Sequence, residues 1–345
     1  MKVLHVLASS KYSGAENVVC QIIEMFRNDG DIEMAYCSPY GEINNTLSDK
    51  NIEYMPLKRL SLSEITKVVK FYKPDVIHCH DLKASILCSF VKGAKIVSHI
   101  HGNKSNMSKV SLKSLMFKLA SRNIKNIVWV SNTCYQDYKF KKNVSQKSVI
   151  LPNIISVEEI KKDVKKDSRV YKNYDIVFLG RLVFEKNPVR LIEIANLLKN
   201  EIGDFKFAIV GDGVLRKEVE LKIKEYNLQN NIELLGFVSK PFKLLSSSKI
   251  MLMTSIMEGT PMCALEALSL GVPVISTKTD GMIDLIQNGV NGFLYDTNSQ
   301  AQEMICDLLK NEENLSLLKM QSSKFAEEYN NIHKYKEVLK GIYFS

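Results

Sequence analysis

Glycine and proline are scarce, at 16 and 8 of 345 residues, and no short repeat is visible. Collagen-like and low-complexity chains are thereby excluded. No apolar run approaches the ~18 residues that a membrane-spanning helix needs. The seven cysteines form no C-x-x-C, so neither a zinc site nor a disulfide framework is expected. An odd number of thiols without an export signal suggests a reducing compartment. The opening MKVLHVLASS is too short in apolar residues for a signal peptide and reads as a first buried strand. A G-x-G-x-x-G is missing, which argues against a dinucleotide oxidoreductase. A G-x-S-x-G is missing too, and with it support for a serine nucleophile. Basic residues are not interleaved with aromatics, so no nucleic-acid partner is expected.

What is present is globular in character, with 45% hydrophobic and 25% charged residues. At roughly 100–200 residues per domain, the length predicts two domains. The net charge of +9 is uneven: residues 1–150 hold 22 Lys and Arg against 12 Asp and Glu, and the remainder 25 against 26. By charge alone a basic half suits nucleic acid, an anionic membrane or an anionic substrate, and a Lys-rich composition with no partner is the plain alternative.

Short apolar runs bounded by turn residues alternate with longer mixed segments. In the first half they are Val3–Leu7, Ile32–Cys37, Val76–Cys79, Lys95–His99, Ile127–Val130 and Val149–Leu151. In the second they are Tyr174–Leu179, Phe205–Val210, Ile232–Leu235, Ile250–Thr254, Val272–Ser276 and Phe293–Tyr295. Val- and Ile-rich runs of ~4–8 residues fit strands buried on both faces. With helix-length segments between them, they predict an α/β protein with a parallel sheet in each half. Glu158–Tyr174 is polar and Lys-rich, and the boundary is expected there, near residue 165.

Open α/β sheets bind ligands beyond the carboxyl ends of their strands, so chemistry is sought in the strand exits. After the first run, Ser13-Gly14-Ala15-Glu16 leads into an apolar helix. Such a turn can bring backbone N–H groups to an anion, or can be an ordinary βα turn. Tyr174–Leu179 exits into Gly180-Arg181-Leu182-Val183-Phe184-Glu185-Lys186. Two cations on one exit loop can neutralise a diphosphate without a metal, or can simply be solvated. Around Met253–Leu268, Gly259 frees the backbone, Thr260 can cap a helix and Pro261 suits its first position. That helix start would aim N–H donors at an anion, and Glu258 and Glu266 could grip two hydroxyl-bearing parts of one ligand.

Four of six histidines form two H-x-H pairs, His78/His80 and His99/His101. Residues i and i+2 of a strand share a face, so metal ligation, a structural role and a catalytic role all stay open. His101 is favoured for catalysis because Gly102 lets a ligand approach. Asp29-Gly30-Asp31 mimics a metal-binding D-x-D, but follows a helix and precedes a strand, and reads as a turn.

In order along nearly the whole chain, these segments resemble the retaining family-4 glycosyltransferases of the GT-B fold. Ser13-Gly14-Ala15-Glu16 is similar to the family's Gly-Gly-x-Glu loop. Asp75-Val-Ile-His78-Cys-His80 resembles its D-V-V-H-x-H strand, and His99-Ile-His101-Gly102 the strand end with the active-site His. Leu151-Pro152-Asn153 resembles the segment before the linker, and Gly180-Arg181-Leu182 with Lys186 resembles G-R-L-x-x-x-K. Val210-Gly211-Asp212-Gly213, Leu235-Gly236, Glu258 to Glu266 as E-x7-E, Pro273–Ser276 and Asn291–Leu294 complete the set. Ser13 and Ile154 stand where the family usually has Gly, and Asp280-Gly281 where it often has Gly-Gly.

The resemblance implies two facing Rossmann-like domains with a cleft between them. Residues 1–165 with a C-terminal helix at about 330–345 would bind acceptor, and residues 166–329 the nucleotide-sugar donor. Arg181 and Lys186 would hold the diphosphate, Glu266 the ribose, and Glu258 the sugar hydroxyls. Backbone around Gly259, Thr260, Pro261, Met262 and Cys263 would reach sugar or phosphate. Gly14 would let its loop close, Phe237 and Val238 would border the base, and His101 would contact the sugar. Catalysis would rest on His101 and Glu258, with no metal and no cofactor. The reaction would move a hexosyl or N-acetylhexosaminyl group from a UDP- or GDP-sugar, with retention, to a glycan or lipid-diphosphate-linked acceptor. The product would be a surface polysaccharide such as capsule or O-antigen. A nucleotide-sugar epimerase of the same architecture and a non-catalytic nucleotide-sugar-binding subunit are the alternatives.

Residues 103–123 can be drawn as a basic amphipathic helix, with Leu112, Leu115, Met116 and Leu119 on one face and Lys109 and Lys113 on another. The expectation is a cytoplasmic protein, peripheral at an anionic inner membrane surface. A helix packed on the sheet with solvated lysines is the alternative.

Overall fold

The computed structural model describes residues 1–102 and 107–345. The chain divides into two units, Met1–Ile154 with Ile332–Ser345, and Ile155–Asn331.

In the first unit strands and helices alternate as β1 (Lys2–Val6), α1 (Gly14–Phe26), β2 (Glu33–Pro39), α2 (Ile43–Asp49), β3 (Tyr54–Leu57), α3 (Leu62–Tyr72), β4 (Val76–Cys79), α4 (Leu82–Cys88), β5 (Lys95–Ile100), α5 (Leu112–Ala120), β6 (Asn126–Trp129), α6 (Asn132–Asp137) and β7 (Ser148–Ile150). The second unit runs α7 (Val157–Lys166), β8 (Tyr174–Leu179), α8 (Pro188–Ile202), β9 (Phe207–Val210), α9 (Arg216–Glu225), β10 (Ile232–Gly236), α10 (Phe242–Ser246), β11 (Ser248–Met253), α11 (Met262–Ser269), β12 (Val274–Thr277), α12 (Asp280–Leu285), β13 (Gly292–Tyr295), α13 (Asn298–Lys310) and α14 (Glu312–Tyr329). Helix α15 (Ile332–Phe344) returns to the first unit.

Both sheets are parallel. The first has the order β3-β2-β1-β4-β5-β6-β7 and the second β10-β9-β8-β11-β12-β13. The order reverses between β1 and β4 in one sheet and between β8 and β11 in the other. At such points the crossover helices leave on opposite faces and a crevice opens beyond the strand ends.

The twelve expected strands are all present within a few residues, and the sequence reading missed one. Strand β3 (YMPL) is short, half-exposed and interrupted by Pro56, which is tolerated because β3 lies at the sheet edge. The expected boundary near 165 also moves. The polar stretch after Asn153 forms α7, capped by Ser156, with Glu158 and Glu159 in its first turn and Lys165 and Lys166 in its last. Those charges complement the helix dipole. Ile160 is its one buried residue, and the helix packs against α10 and α11, so residues 155–165 belong to the second unit.

Period-2 alternation sets the two faces of the first sheet. Leu4, Val6, Ile77, Cys79, Ile96, Ile100, Ile127 and Trp129 form one core. The opposite face carries buried His5, His78, His80 and His99 beside Val3, Val76, Val97 and Val128. Helix α15 is tied to this unit by buried Tyr335, Leu339, Ile342 and Tyr343. Lys340 and Lys336 reach the Asp29 carboxylate at 2.6 and 3.6 Å, and the Lys340 hydrogen bond holds the Asp29 carboxyl below its usual range. The D-x-D is thus a turn whose first acid anchors a helix.

Candidate active site

In the second unit, two exit loops flank the reversal point and are stitched together. The loop after β8 tightens into a 3-10 turn at Phe184–Lys186, and Asn187 adopts φ 46° before Pro188 opens α8. The loop after β11 meets it through backbone and side chains. Thr254 Oγ1 donates to the Lys186 and Asn187 carbonyls at 3.0 and 2.9 Å, and the Ile256 N–H donates to the Glu185 carbonyl at 2.9 Å. Thr277 Oγ1 on β12 donates to the Ser255 carbonyl at 2.6 Å.

These contacts bring the Lys186 ammonium onto the Glu258 carboxylate, which also accepts from Ser255 Oγ at 2.6 Å. Burial opposes the Lys186 charge, but the neighbouring Glu258 outweighs it and holds the ammonium above its ordinary value. The cation is therefore fixed and fully charged near neutral pH. Arg181 lies on the same loop and is exposed. Of the two expected cations, one is locked by a carboxylate and one is open to solvent.

Glycines let three strand exits touch backbone to backbone. Gly180 N–H donates to Val210 O at 3.0 Å, and Gly211 N–H to Gly236 O at 2.7 Å. Gly211 has φ +136°, and a Cβ there would lie 1.9 Å from the Gly180 carbonyl oxygen. Beyond β10, Phe237 is 82% exposed and Val238 is half-buried.

Pro261 is extended and Met262 is the first residue of α11, so the helix starts one residue later than expected and Thr260 is not its cap. The N-cap residue Pro261 makes no side-chain hydrogen bond to this N-terminus, and its first turn follows Glu258 and Gly259 in sequence. Gly281 explains the departure at Asp280-Gly281: a Cβ on residue 281 would sit 1.1 Å from the Gly259 carbonyl oxygen, and its N–H donates to the Glu258 carbonyl at 3.2 Å. The second glycine of the pattern is the one the packing requires. Further along α11, burial pushes the Glu266 carboxyl up to about 7 and the Cys263 thiol up to about 12.

In the first unit the loops after β1 and β4 are joined where Ala8 N–H donates to Asp81 Oδ2 at 2.8 Å. Asp81 also caps α4 through Ala84 N–H at 2.7 Å. Gly14 opens α1, with nothing within 4 Å of where its Cβ would stand. Ser13 Oγ donates to buried Glu16 at 2.5 Å, and burial raises the Glu16 carboxyl.

The two H-x-H pairs are not both confined to strand exits. His78 and His99 lie inside β4 and β5, and His80 and His101 follow those strands. A fifth histidine joins them: His5 of β1 is in register with His78. The rings of His78 and His80, and of His99 and His101, have centroids 4.2 Å apart. His5/His78/His80 and His80/His99/His101 each bring ring nitrogens within 4.8 Å, close enough to be weighed as metal ligands. Burial lowers all five, His5 and His101 to about 3, so the array is neutral. The sequence reading did not include His5. Its only signal was a lone His alternating with Leu and Val in the first strand.

Two parallel-sheet units, each with its loops gathered at a reversal point, are the GT-B fold of nucleotide-dependent glycosyltransferases. The chain belongs to the family-4 type of these enzymes: residues 12–159 match Glycosyltransferase Family 4, and residues 159–325 match Glycosyl transferases group 1. It is 28% identical, over 86% of its length and 84% of the relative's, to an Escherichia coli UDP-Gal:alpha-D-GlcNAc-diphosphoundecaprenol alpha-1,3-galactosyltransferase. A Campylobacter jejuni alpha-1,4-N-acetyl-D-galactosaminyltransferase acting on an undecaprenol-diphosphate-linked glycan is 34% identical over 44% of this chain and 43% of its own. The crystal structure of Anabaena HepE with UDP and glucose shares the fold, with TM-score 0.84 and 19% identity over 100% of both chains.

Proposed function

We propose that this chain transfers a sugar from a nucleotide-diphosphate sugar to a lipid-diphosphate-linked or glycan acceptor in bacterial surface-polysaccharide synthesis, with retention of anomeric configuration. The observation that carries this reading is the Lys186–Glu258 pair, which joins the β8 and β11 exits at the reversal point. A charged ammonium there can meet a diphosphate and hold the negative charge that builds as the sugar leaves. Arg181 adds a planar fork to the same phosphates. The start of α11 supplies N–H donors, Glu258 accepts from the sugar hydroxyls, Glu266 from the ribose, and Phe237 and Val238 border the base. His101 meets the sugar. The E. coli and Campylobacter relatives support a lipid-diphosphate acceptor and a hexosyl or N-acetylhexosaminyl donor.

The test is a donor panel. The protein is incubated with UDP- and GDP-sugars and a lipid-linked acceptor extract, and nucleotide release and product mass are followed. A glycosylated lipid with an α-linkage from an α-linked donor supports the reading. An altered nucleotide-sugar without acceptor product, or no turnover with any donor, overturns it. Glu266 gives a pH signature. With its carboxyl near 7, only about a tenth is ionised at pH 6, so donor affinity should fall about tenfold from pH 8 to pH 6. Calorimetric titration with Glu266→Gln should show a weaker and flat profile.

We further propose that α5 seats the first unit on an anionic membrane face from the cytoplasmic side. Among the described residues no helix is long and apolar enough to span a bilayer. Helix α5 buries Ser114, Phe117 and Ala120, while Leu112, Leu115, Met116 and Leu119 are 75, 40, 42 and 58% exposed. An apolar stripe at i, i+3, i+4 and i+7 facing solvent is costly unless something covers it. Residues 101–150 hold ten Lys and Arg and a single acid, which names an anionic surface as the cover. Residues 103–106 of the helix drawn from sequence lie outside the described residues, and the helix itself begins at Leu112, after the Ser111 cap. At about 1 kcal/mol per lysine, removing Lys109 and Lys113 should weaken binding to phosphatidylglycerol vesicles about thirtyfold. Leu112→Ser with Leu119→Ser should weaken it at any salt, and unchanged co-sedimentation in both variants would refute the seat.

A further inference from the structure

The histidine face contains a chain of ring-nitrogen contacts at hydrogen-bond distance. His5 Nε2 lies 3.4 Å from the Met34 sulfur, His5 Nδ1 lies 2.9 Å from His80 Nε2, and His80 Nδ1 lies 3.0 Å from His101 Nε2. His101 Nδ1 ends the chain as a buried nitrogen with no hydrogen-bond partner among the described residues.

A thioether has lone pairs and no proton to give. As a hydrogen bond, the His5–Met34 contact places its proton on His5 Nε2, and the reverse order along the chain would leave a buried N–H without an acceptor on His101 Nδ1. A neutral imidazole has one N–H, so His5 Nδ1 is a lone pair and accepts from His80 Nε2–H. His80 Nδ1 is then a lone pair and accepts from His101 Nε2–H. His101 Nδ1 is left as a bare acceptor. Each step follows from the one before because burial keeps every ring neutral.

We propose that Met34, His5 and His80 form a tautomer relay that fixes His101 with its proton on Nε2 and offers Nδ1 as an acceptor for a donor-sugar hydroxyl. Met34, His5 and His80 are positioning residues that act through His101. That the acceptor meets a sugar rests on the proposed function; the tautomer does not.

Metal ligation is the competing use of these rings. Two nitrogens on a tetrahedral zinc lie about 3.3 Å apart, given ligand distances near 2.05 Å. The observed 2.9 and 3.0 Å separations are hydrogen-bond distances instead, and each uses the lone pair that a metal would need. His78 stands outside the relay, with Nδ1 on the Tyr343 hydroxyl at 2.8 Å, and serves as an internal control.

Long-range proton–nitrogen NMR on the uniformly 15N-labelled full chain reads each ring's tautomer without any ligand. His5, His80 and His101 should all be protonated on Nε2. Met34→Leu conserves volume and removes the group of fixed polarity at the head of the chain. It should cut the Nε2–H fraction of His101 from essentially all to about half, and leave His78 unchanged. The relay is overturned if wild-type His101 is the Nδ1–H form or charged, if Met34→Leu leaves its tautomer unaltered, or if one equivalent of Zn2+ binds and displaces the imidazole protons. Adding the UDP- or GDP-sugar identified by the donor panel should shift the His101 Nδ1 signal. A correct tautomer in a protein that turns over no donor would sink the proposed function and leave the relay standing.

Discussion

Lys186→Ala is expected to lower sugar transfer about a thousandfold, at the upper end of what one lost charge-stabilising donor costs. Two effects combine. The diphosphate loses its fixed cation, and Glu258 is left with Ser255 as its remaining partner in a poorly solvated position. Stranding one member of a buried pair typically costs about 3–5 kcal/mol, so the single variant should also melt earlier. The double variant Lys186→Met with Glu258→Gln separates the two. It removes both charges, should recover most of the melting temperature, and should stay inactive. Nucleotide release and thermal unfolding, measured on Lys186→Ala, on Glu258→Gln alone and on the double, decide the matter. Unchanged turnover in Lys186→Ala would refute the assignment of the diphosphate.

Gly211→Ala is expected to destabilise the second unit strongly. The added Cβ would meet the Gly180 carbonyl oxygen at 1.9 Å, and φ +136° is strained for any L side chain. Neither atom belongs to a flexible side chain that could swing away. A loss of about 3 kcal/mol corresponds to a melting shift of roughly 6–12 °C for a unit of this size. Because Gly180 leads directly into Arg181, the strain falls on the donor loop, and transfer should fall even where the protein remains folded. Gly14→Ala is the contrast. Nothing lies within 4 Å of its Cβ position, so stability should change by no more than about 0.5 kcal/mol. Any loss of activity there would report closure of the β1 loop and not damage to the fold.

Strands buried on both faces were legible because their apolar runs are continuous and end at turn residues; Tyr174–Leu179 matches β8 end to end. Strand β3 was not, because an edge position tolerates Pro56 and leaves its side chains half exposed. Helix α7 was hidden for a related reason: with Ile160 alone buried, its sequence looks like a linker. The local chemistry of the site could be read from motif order, since Arg181, Lys186, Glu258 and Glu266 all follow strand ends. The partners could not. Glu258 and Lys186 are 72 residues apart. His5 joins the array only through the register of β1 on β4, which no local pattern in the first strand specifies.

Helix α15 bears on how the protein is made. Tyr343 closes over His78, and Lys95 Nζ holds the Ile342 carbonyl at 2.5 Å, so the first unit draws α15 from chain made after the whole of the second unit. The second unit, continuous from Ile155 to Asn331, is complete before then. At about 5–20 residues per second, the N-terminal sheet waits roughly 10–40 s with its imidazole face uncovered. The second unit can therefore close before the first, and loss of α15 would strike the unit whose sheet is made first.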